Sequence, residues 1–140
     1  MTDCLIVGDS IAVGSNAFKT ECAALARGGI NSWQFNRMFP MALDAATVVI
    51  SLGSNDHAGV KTRQELEAVR ARVRGRRVYW ILPAGNHPAS GVPITKIQAI
   101  VREIAATNGD IVLEIQSLQQ DDIHPSWAGY RALMKQVNRR

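Results

Sequence analysis

Three side chains in this sequence have the chemistry of nucleophilic catalysis, although they lie near opposite ends of the chain. Ser10 follows a short apolar run, and Asp121 precedes His124 by three residues. A serine hydroxyl is a poor nucleophile until a base removes its proton, and an imidazole acts as that base when a carboxylate fixes its tautomer. Within one tight turn, Asp121 can bond the Nδ1–H of His124 and leave Nε2 facing Ser10. These residues therefore predict an acyl-transfer site.

Acyl transfer also requires hydrogen-bond donors for the oxyanion of the tetrahedral intermediate. The sequence offers three, which are the backbone N–H groups of Ser10 and Gly29 and the side-chain amide of Asn55. The glycine pattern is loose, so either Gly28 or Gly29 can supply the second donor, and we favour Gly29.

Each candidate also has an ordinary structural explanation. Ser10 could simply cap the helix that follows it, because serine is common at that position. Asp122 is a second candidate for the carboxylate that orients His124. Asn55 could be a turn residue, and Asp56 is expected to be one that bonds its own backbone. The Asp-x-x-His-Pro sequence near the other end of the chain favours catalysis, since a helix cap does not require it.

The elements that must position these residues form an α/β pattern. Short continuous apolar runs, typical of strands buried on both faces of a parallel sheet, alternate with helical periodicity. The predicted strands are Cys4–Val7, Ala23–Ala26, Val48–Leu52, Val78–Leu82 and Ile111–Ile115. In an open parallel sheet, ligands bind beyond the carboxyl ends of the strands, where the candidate residues lie. A chain of 140 residues is enough for a single domain, which we expect to span residues 1–140.

Three helices are marked by start and stop signals. The predicted boundaries are Thr62 to about Gly75, Pro93 to Asn108-Gly109, and about Pro125 onward. Thr62 and Glu65 have the spacing of a capping box. The segment Asn31–Leu43 is ambiguous because Pro40 interrupts a helix-like pattern.

Composition and charge exclude several classes of protein. Hydrophobic residues make up 46% of the chain and charged residues 20%, which is typical of a globular domain and not of a disordered one. No apolar run approaches the roughly 20 residues of a membrane helix, and Cys4–Val7 is too short for a signal-peptide core. We therefore expect a leaderless chain that does not bind membranes and is cytoplasmic or virion-associated.

The basic excess and the cysteines have simple interpretations. Sixteen basic residues outnumber 12 acidic ones, and they concentrate at Arg70–Arg77 and at Arg139 and Arg140. The first cluster closes a helix whose C-terminal dipole favours cations and the second is a solvated tail, so no nucleic-acid partner is expected. Cys22 has no partner at metal-ligand spacing, and Cys4 lies in a strand, so both are expected to be buried and reduced.

Together, these residues resemble the sequence blocks of the SGNH/GDSL hydrolases, a family named after its serine, glycine, asparagine and histidine. The matching blocks are Gly8-Asp9-Ser10, Gly29, Gly53-Ser54-Asn55-Asp56, and Asp121-x-x-His124-Pro125 with Gly129-Tyr130. They occur in the family's order and cover nearly the whole chain. The resemblance implies a flavodoxin-like, three-layer α/β/α sandwich with strand order 2-1-3-4-5. It also implies ester or thioester hydrolysis without a metal or other cofactor, as in the compact, lid-less members from bacteria and bacteriophage.

Two further histidines and one tryptophan are candidates for substrate contact. His57 follows the Asn-Asp pair, His87 lies in the loop after the fourth strand, and Trp127 lies just beyond the predicted base. A loop histidine is more often a polar surface group, which is the competing interpretation. Trp33 and Trp80 are expected in the core. No ligand pair at helical spacing supports a metal site.

The expected reaction is hydrolysis of short-chain esters through an acyl-serine intermediate. Because the small chain implies an open cleft and a small acyl group, removal of O-acetyl groups from a carbohydrate is the leading substrate class. The partner is then a small-molecule or carbohydrate ester. The alternatives are a lipase or thioesterase of broader acyl specificity, and a non-catalytic module of the same fold in a virion or surface assembly. Every expected catalytic position is occupied, which favours the enzyme.

Overall fold

The computed structural model describes residues 2–87 and 90–137 as a parallel β-sheet with helices on both faces. The predicted tail at Arg139 and Arg140 lies outside the described residues. In chain order the elements are β1 (Thr2–Gly8), α1 (Ser10–Ala17), β2 (Ala23–Ala26), α2 (Ser32–Met38), β3 (Leu43–Ser51), α3 (Thr62–Ala71), β4 (Val73–Arg74), β5 (Arg77–Leu82), α4 (Ile94–Asn108), β6 (Ile111–Glu114) and α5 (Trp127–Gln136).

The sheet has the order β2-β1-β3-β5-β6, and every pairing along it is parallel. Apart from β4, this is the predicted order 2-1-3-4-5, which is confirmed. Leu5 of β1 pairs with Ala23 on one side and with Val48 on the other. This register brings the carboxyl ends of β1, β2 and β3, and the loops that follow them, to one edge of the sheet.

Alternate residues of the strands point to opposite faces, and each face has its own core. Val48 and Trp80 pack with residues from α2, α3 and α4 on one face. Val49 and Tyr79 pack with residues from α1 and α5 on the other face. The predicted three-layer α/β/α sandwich is therefore confirmed, and successive side chains of the central strands serve both cores.

The third helix is shorter than predicted and begins differently. It ends at Ala71 because the next residues form β4, in which Val73 pairs with Leu43 at the start of β3. Its cap is Lys61, which makes no side-chain capping bond, so the predicted capping box is wrong. The side chains of Thr62 and Glu65, the two residues of the predicted capping box, form hydrogen bonds with other residues. Thr62 donates to Asp56 and Glu65 accepts from Asn36 and Arg37.

The ambiguous segment resolves into one short helix followed by an early strand. Asn31 caps α2 in a capping box with Gln34, and the helix stops before Pro40. Strand β3 then begins at Leu43, earlier than the predicted Val48. The helix predicted from Pro93 to Asn108 is confirmed as α4, which ends at Gly109 in the left-handed conformation with φ +71°.

Cys4 and Cys22 are buried as predicted, but the prediction that they are reduced is wrong. They form a disulfide with a Cα–Cα distance of 4.8 Å across a sequence separation of 18. The reason is the pairing of β1 with β2, in which Leu5 faces Ala23. Cys4 precedes Leu5 and Cys22 precedes Ala23, so this pairing places the two cysteines side by side.

In the described residues, no helix is both long and apolar enough to span a bilayer.

Candidate active site

The turn from β1 into α1 positions Ser10 at the first residue of the helix. Gly8 has φ +139°, and a Cβ built there would lie 1.8 Å from the Ser51 carbonyl oxygen, so the chain can pass only with glycine. The cap of α1 is Asp9, whose Oδ1 accepts hydrogen bonds from the Ile11 N–H at 3.0 Å and from the Ser51 hydroxyl at 3.2 Å. Because Asp9 does the capping, the Ser10 hydroxyl is not needed for that role.

A chain of hydrogen bonds joins the three predicted catalytic side chains. Ser10 Oγ lies 2.6 Å from His124 Nε2, and His124 Nδ1 lies 2.5 Å from Asp121 Oδ2. The second oxygen of Asp121 accepts from the backbone N–H groups of Ile123 and His124, both at 3.0 Å. The carboxylate therefore fixes the imidazole and the turn that bears it together. This arrangement can remove the proton from a serine during attack on a carbonyl.

The neighbouring Asp122 has a different position in this turn. It has φ +59°, which is rare for a residue other than glycine, and its carbonyl accepts from the Asn86 N–H at 2.8 Å. Gly85 leaves room for that contact, because a Cβ on it would lie 1.8 Å from the Asp122 oxygen. The loop after β5 thus braces the turn, while Asp121 makes the hydrogen bond to His124.

The carboxyl groups near Ser10 have opposite electrostatic environments. Hydrogen bonds from the His124 ring and from the His124 and Ile123 N–H groups lower the pKa of Asp121 to about 2, so it is an anion at neutral pH. Complete burial raises the pKa of Asp9 to about 7, against the opposing effect of its hydrogen bonds. Burial first, and then the charges of Asp9 and Asp121, raise the pKa of Tyr130 to about 12.

Two glycines lie in the turn after β2, next to the nucleophile. A Cβ built on Gly28 would lie 3.8 Å from the Ser10 Cβ, which places this turn directly against the nucleophile. Gly29 has φ +80° and faces open space. Among the described residues, no intramolecular acceptor is found for the backbone N–H groups of Ser10, Gly28 or Gly29. These groups are the kind of free donor that an oxyanion needs, and both glycines remain candidates.

Asn55 is tied to the same turn. Its Nδ2 donates one hydrogen bond to the Ile30 carbonyl at 3.0 Å, and the second Nδ2 proton is free for another acceptor. This bond links the loop after β3 to the loop after β2, next to the two glycines. The structure therefore brings the predicted oxyanion residues onto adjacent loops.

Asp56 has a larger role than the turn residue that the sequence suggested. It is 1% exposed, and it accepts from the Ser32 N–H at 2.8 Å, the Ser32 hydroxyl at 2.6 Å and the Thr62 hydroxyl at 2.8 Å. The prediction that it bonds its own turn backbone is wrong, because its partners begin α2 and α3. Asp56 is a buried clamp between the two loops that carry Asn55 and the glycines.

The three predicted substrate-contacting residues are dispersed around the site. His57 Nδ1 accepts from the Gly59 N–H at 3.0 Å, and the ring lines a cavity between α3 and α4. His87 lies in the loop that braces the base turn, and its buried Nδ1 has no partner among the described residues. Trp127 is 76% exposed at the start of α5. Trp33 is half exposed, which corrects its predicted core position, whereas Trp80 is fully buried as expected.

Two of the basic residues near the end of α3 are engaged within the fold. Arg70 forms two hydrogen bonds with the Asp110 carboxylate, at 2.7 and 3.0 Å. Arg72 donates to the Phe39 carbonyl at 2.6 Å. In the described part of the chain, no group of three or more His, Cys, Asp or Glu side chains is arranged to hold a metal ion.

Comparison with known proteins gives matches at the level of structure. No protein-family model and no curated protein sequence matches the chain. A GDSL-like lipase from Bacteroides thetaiotaomicron is 20% identical, with a TM-score of 0.69 over 96% of this chain and 86% of that one. The catalytic domain of a peptidoglycan O-acetyltransferase from Streptococcus pneumoniae is 17% identical, with a TM-score of 0.62 over 94% and 86% of the two chains.

A carbohydrate acetylesterase family member from Sinorhizobium meliloti is 12% identical, with a TM-score of 0.61 over 96% of this chain and 94% of that one. At these identities the likeness concerns the fold. It agrees with the fold that the sequence blocks implied, and the chain has the three-layer α/β/α fold of the GDSL-type hydrolases.

Proposed function

We propose that this protein is a serine ester hydrolase of the SGNH/GDSL type. The observation that carries the proposal is the continuous hydrogen-bonded chain from Ser10 through His124 to Asp121, with distances of 2.6 and 2.5 Å. These side chains come from sequence positions more than 100 residues apart. Neither helix capping nor core packing requires them to meet.

The mechanism begins with attack of Ser10 Oγ on the ester carbonyl, while His124 Nε2 accepts the hydroxyl proton. The imidazolium is stabilised by Asp121 and then protonates the leaving alcohol, which gives an acyl-serine. Water activated by His124 releases the acid in the second half of the reaction. The Ser10 N–H, a glycine N–H, preferably that of Gly29, and the Asn55 amide bind the oxyanion in both halves.

The leading substrate class is a short acyl ester on a carbohydrate. Trp127 supports this assignment, because an indole that is 76% exposed three residues after the base offers a stacking surface for the leaving sugar. Two proteins of the same fold are described as a carbohydrate acetylesterase family member and a peptidoglycan O-acetyltransferase. The disulfide is typical of oxidising surroundings, which include the virion or cell surface, and argues against the reducing cytoplasm.

A fluorophosphonate probe tests the proposed nucleophile. We expect stoichiometric labelling of the wild type at Ser10 and none in Ser10→Ala. Thr20→Ala, which removes an exposed hydroxyl from the turn before β2, at the edge of the sheet opposite the site, is the control and should be labelled like the wild type. A wild type that resists the probe under conditions that label a known esterase would refute the enzyme and favour the non-catalytic module.

A substrate panel tests the carbohydrate. Acetyl to decanoyl nitrophenyl esters should show a preference for short chains, and a long-chain preference would instead identify a lipase or thioesterase. Trp127→Ala should raise KM for an acetylated oligosaccharide about threefold to tenfold, the scale of one aromatic stacking contact, and leave nitrophenyl acetate unaffected. Trp33→Ala is the control for losing an exposed tryptophan. Equal KM values for the sugar ester in all three proteins would remove Trp127 from the site.

A further inference from the structure

A cavity of about 740 Å³ opens between the beginnings of α3 and α4, beside the loop that carries Asn55. His57, two residues beyond Asn55, is part of its wall. Both helices touch that loop, since Thr62 donates to Asp56 and Ile97 lies 2.7 Å from a Cβ built on Gly53. The cavity therefore lies at the same edge of the sheet as the candidate site and borders the loop that carries Asn55.

The fold decides which part of a substrate this cavity receives. His124 reaches Ser10 from the loop before α5, and α5 packs on the same face of the sheet as α1. The cavity lies between α3 and α4, which pack on the opposite face. Because the leaving alcohol must take its proton from His124, it lies toward the first face. The acyl group then points toward the cavity.

The lining of the cavity has two chemical parts. Its apolar part includes Val92 and Ile97, which suit methylene groups. Its polar part includes Lys61 and Lys96, and neither ammonium has a carboxylate within ion-pair distance among the described residues.

The other charged groups of the wall leave that positive character in place. Arg63 is paired with Glu103, which lies outside the cavity lining. Glu67 also lines the cavity, but it lies more than one helical turn beyond Lys61 along α3. Lys61, at the cap of α3, and Lys96, in the first turn of α4, are thus two unpaired cations at the ends of these helices that face the candidate site.

We propose that the cavity binds the acyl group of an ester whose short chain ends in a carboxylate, as in a dicarboxylic acid half-ester. The inference rests on the proposed esterase function and specifies its acyl side. The methylene groups pack on the apolar wall, and Lys61 and Lys96 bind the terminal carboxylate. A methyl group from an acetyl ester leaves most of the cavity unfilled, so the half-ester is the better substrate.

Three umbelliferyl esters separate the contributions of charge and length. They are the acetate, the hemisuccinate and the methyl succinate, the last being a neutral analogue of nearly the same length. Wild-type kcat/KM should favour the hemisuccinate over the methyl succinate about fivefold to thirtyfold, as expected for two partly exposed ion pairs, and 1 M salt should reduce that ratio. The double variant Lys61→Gln, Lys96→Gln should bring the ratio to about one.

Control variants distinguish charge recognition from damage to the fold. Arginine at both lysine positions should retain the preference, and Lys135→Gln on α5 should behave like the wild type. If the acetate is hydrolysed but the two succinyl esters react equally, or the neutral ester faster, the cavity proposal is overturned and the esterase stands. If no ester is hydrolysed and Ser10 resists fluorophosphonate, both proposals fail.

Discussion

Asp56 offers the sharpest test of how the site is held together, because it touches both loops of the oxyanion side without being positioned to touch substrate. Replacing it with asparagine keeps its size and its acceptor for the Ser32 N–H. The two hydroxyl bonds, from Ser32 and Thr62, lose their charged partner. A bond to a charged group contributes about 1.5–3 kcal/mol and a neutral one about 0.5–1.5, so the loss of stability should be about 2 kcal/mol.

The kinetic effect should exceed what this loss of stability explains. A misplacement of about 1 Å in a catalytic group can cost about a hundredfold, and one missing oxyanion donor costs about a hundredfold to a thousandfold. We therefore expect Asp56→Asn to lower kcat for a short ester about tenfold to a hundredfold, with KM changed less than about threefold. Steady-state kinetics below the melting temperature measure this split.

Thr62→Val is the matched control, because it removes one hydroxyl bond to Asp56 on the side away from Gly29. It should cost about 1 kcal/mol of stability and leave kcat within about threefold of the wild type. If Asp56→Asn is destabilised to the expected degree but keeps its kcat, the clamp serves folding alone and the positioning role is refuted.

Three other predictions concern the base, the disulfide and the buried acid. Asp121→Asn should lower kcat by about a thousandfold to ten-thousandfold, since the wrong imidazole tautomer is then favoured; activity within tenfold of the wild type would remove Asp121 from the mechanism. Replacing Cys4 and Cys22 together with alanine should lower the free energy of unfolding by about 3 kcal/mol, measured by urea denaturation, and two titratable thiols in the unreduced wild type would contradict the disulfide.

Asp9 has a folded pKa of about 7 against 3.8 for the free group, so its stabilising effect is complete below about pH 4 and is lost as the pH rises through 7. In the wild type the free energy of unfolding should therefore fall between about pH 4 and pH 7, and Asp9→Asn should reduce that fall by about 4 kcal/mol. Parallel curves of stability against pH for the two proteins would show that Asp9 does not titrate in this range.

The sequence predicted the centre of each element better than its limits. Val48–Leu52 was visible because it is apolar throughout, whereas the first part of β3 alternates between buried Leu43 and exposed Asp44. An alternating start next to Pro40 looks like a loop extension. The predicted third helix continued to about Gly75, because Val73, an apolar residue seven positions after Leu66, fits helical spacing as well as it fits the short strand that it forms.

The candidate residues were found because their chemistry is unusual at strand ends, whereas their supports were not. Asp56 was misjudged since its partner Ser32 lies 24 residues upstream, and only the folded chain brings them together. The link between Cys4 and Cys22 was accessible in principle. Because Leu5 of β1 pairs with Ala23 of β2, the cysteine that precedes each of these residues lies next to the other. The number of residues between the two cysteines in the sequence does not reveal that pairing.

The close backbone contact between Gly85 and Asp122 limits the position of the turn that carries His124. Its position is defined by backbone atoms alone, with room for a hydrogen but not for a methyl group. The position of the imidazole relative to Ser10 therefore depends on the backbone path of the loop after β5. We expect an insertion of one residue in that loop, or alanine at Gly85, to shift His124 relative to Ser10 and so to change the rate of proton transfer, although every catalytic residue is kept. Sequence changes in the loop after β5 should therefore change kcat.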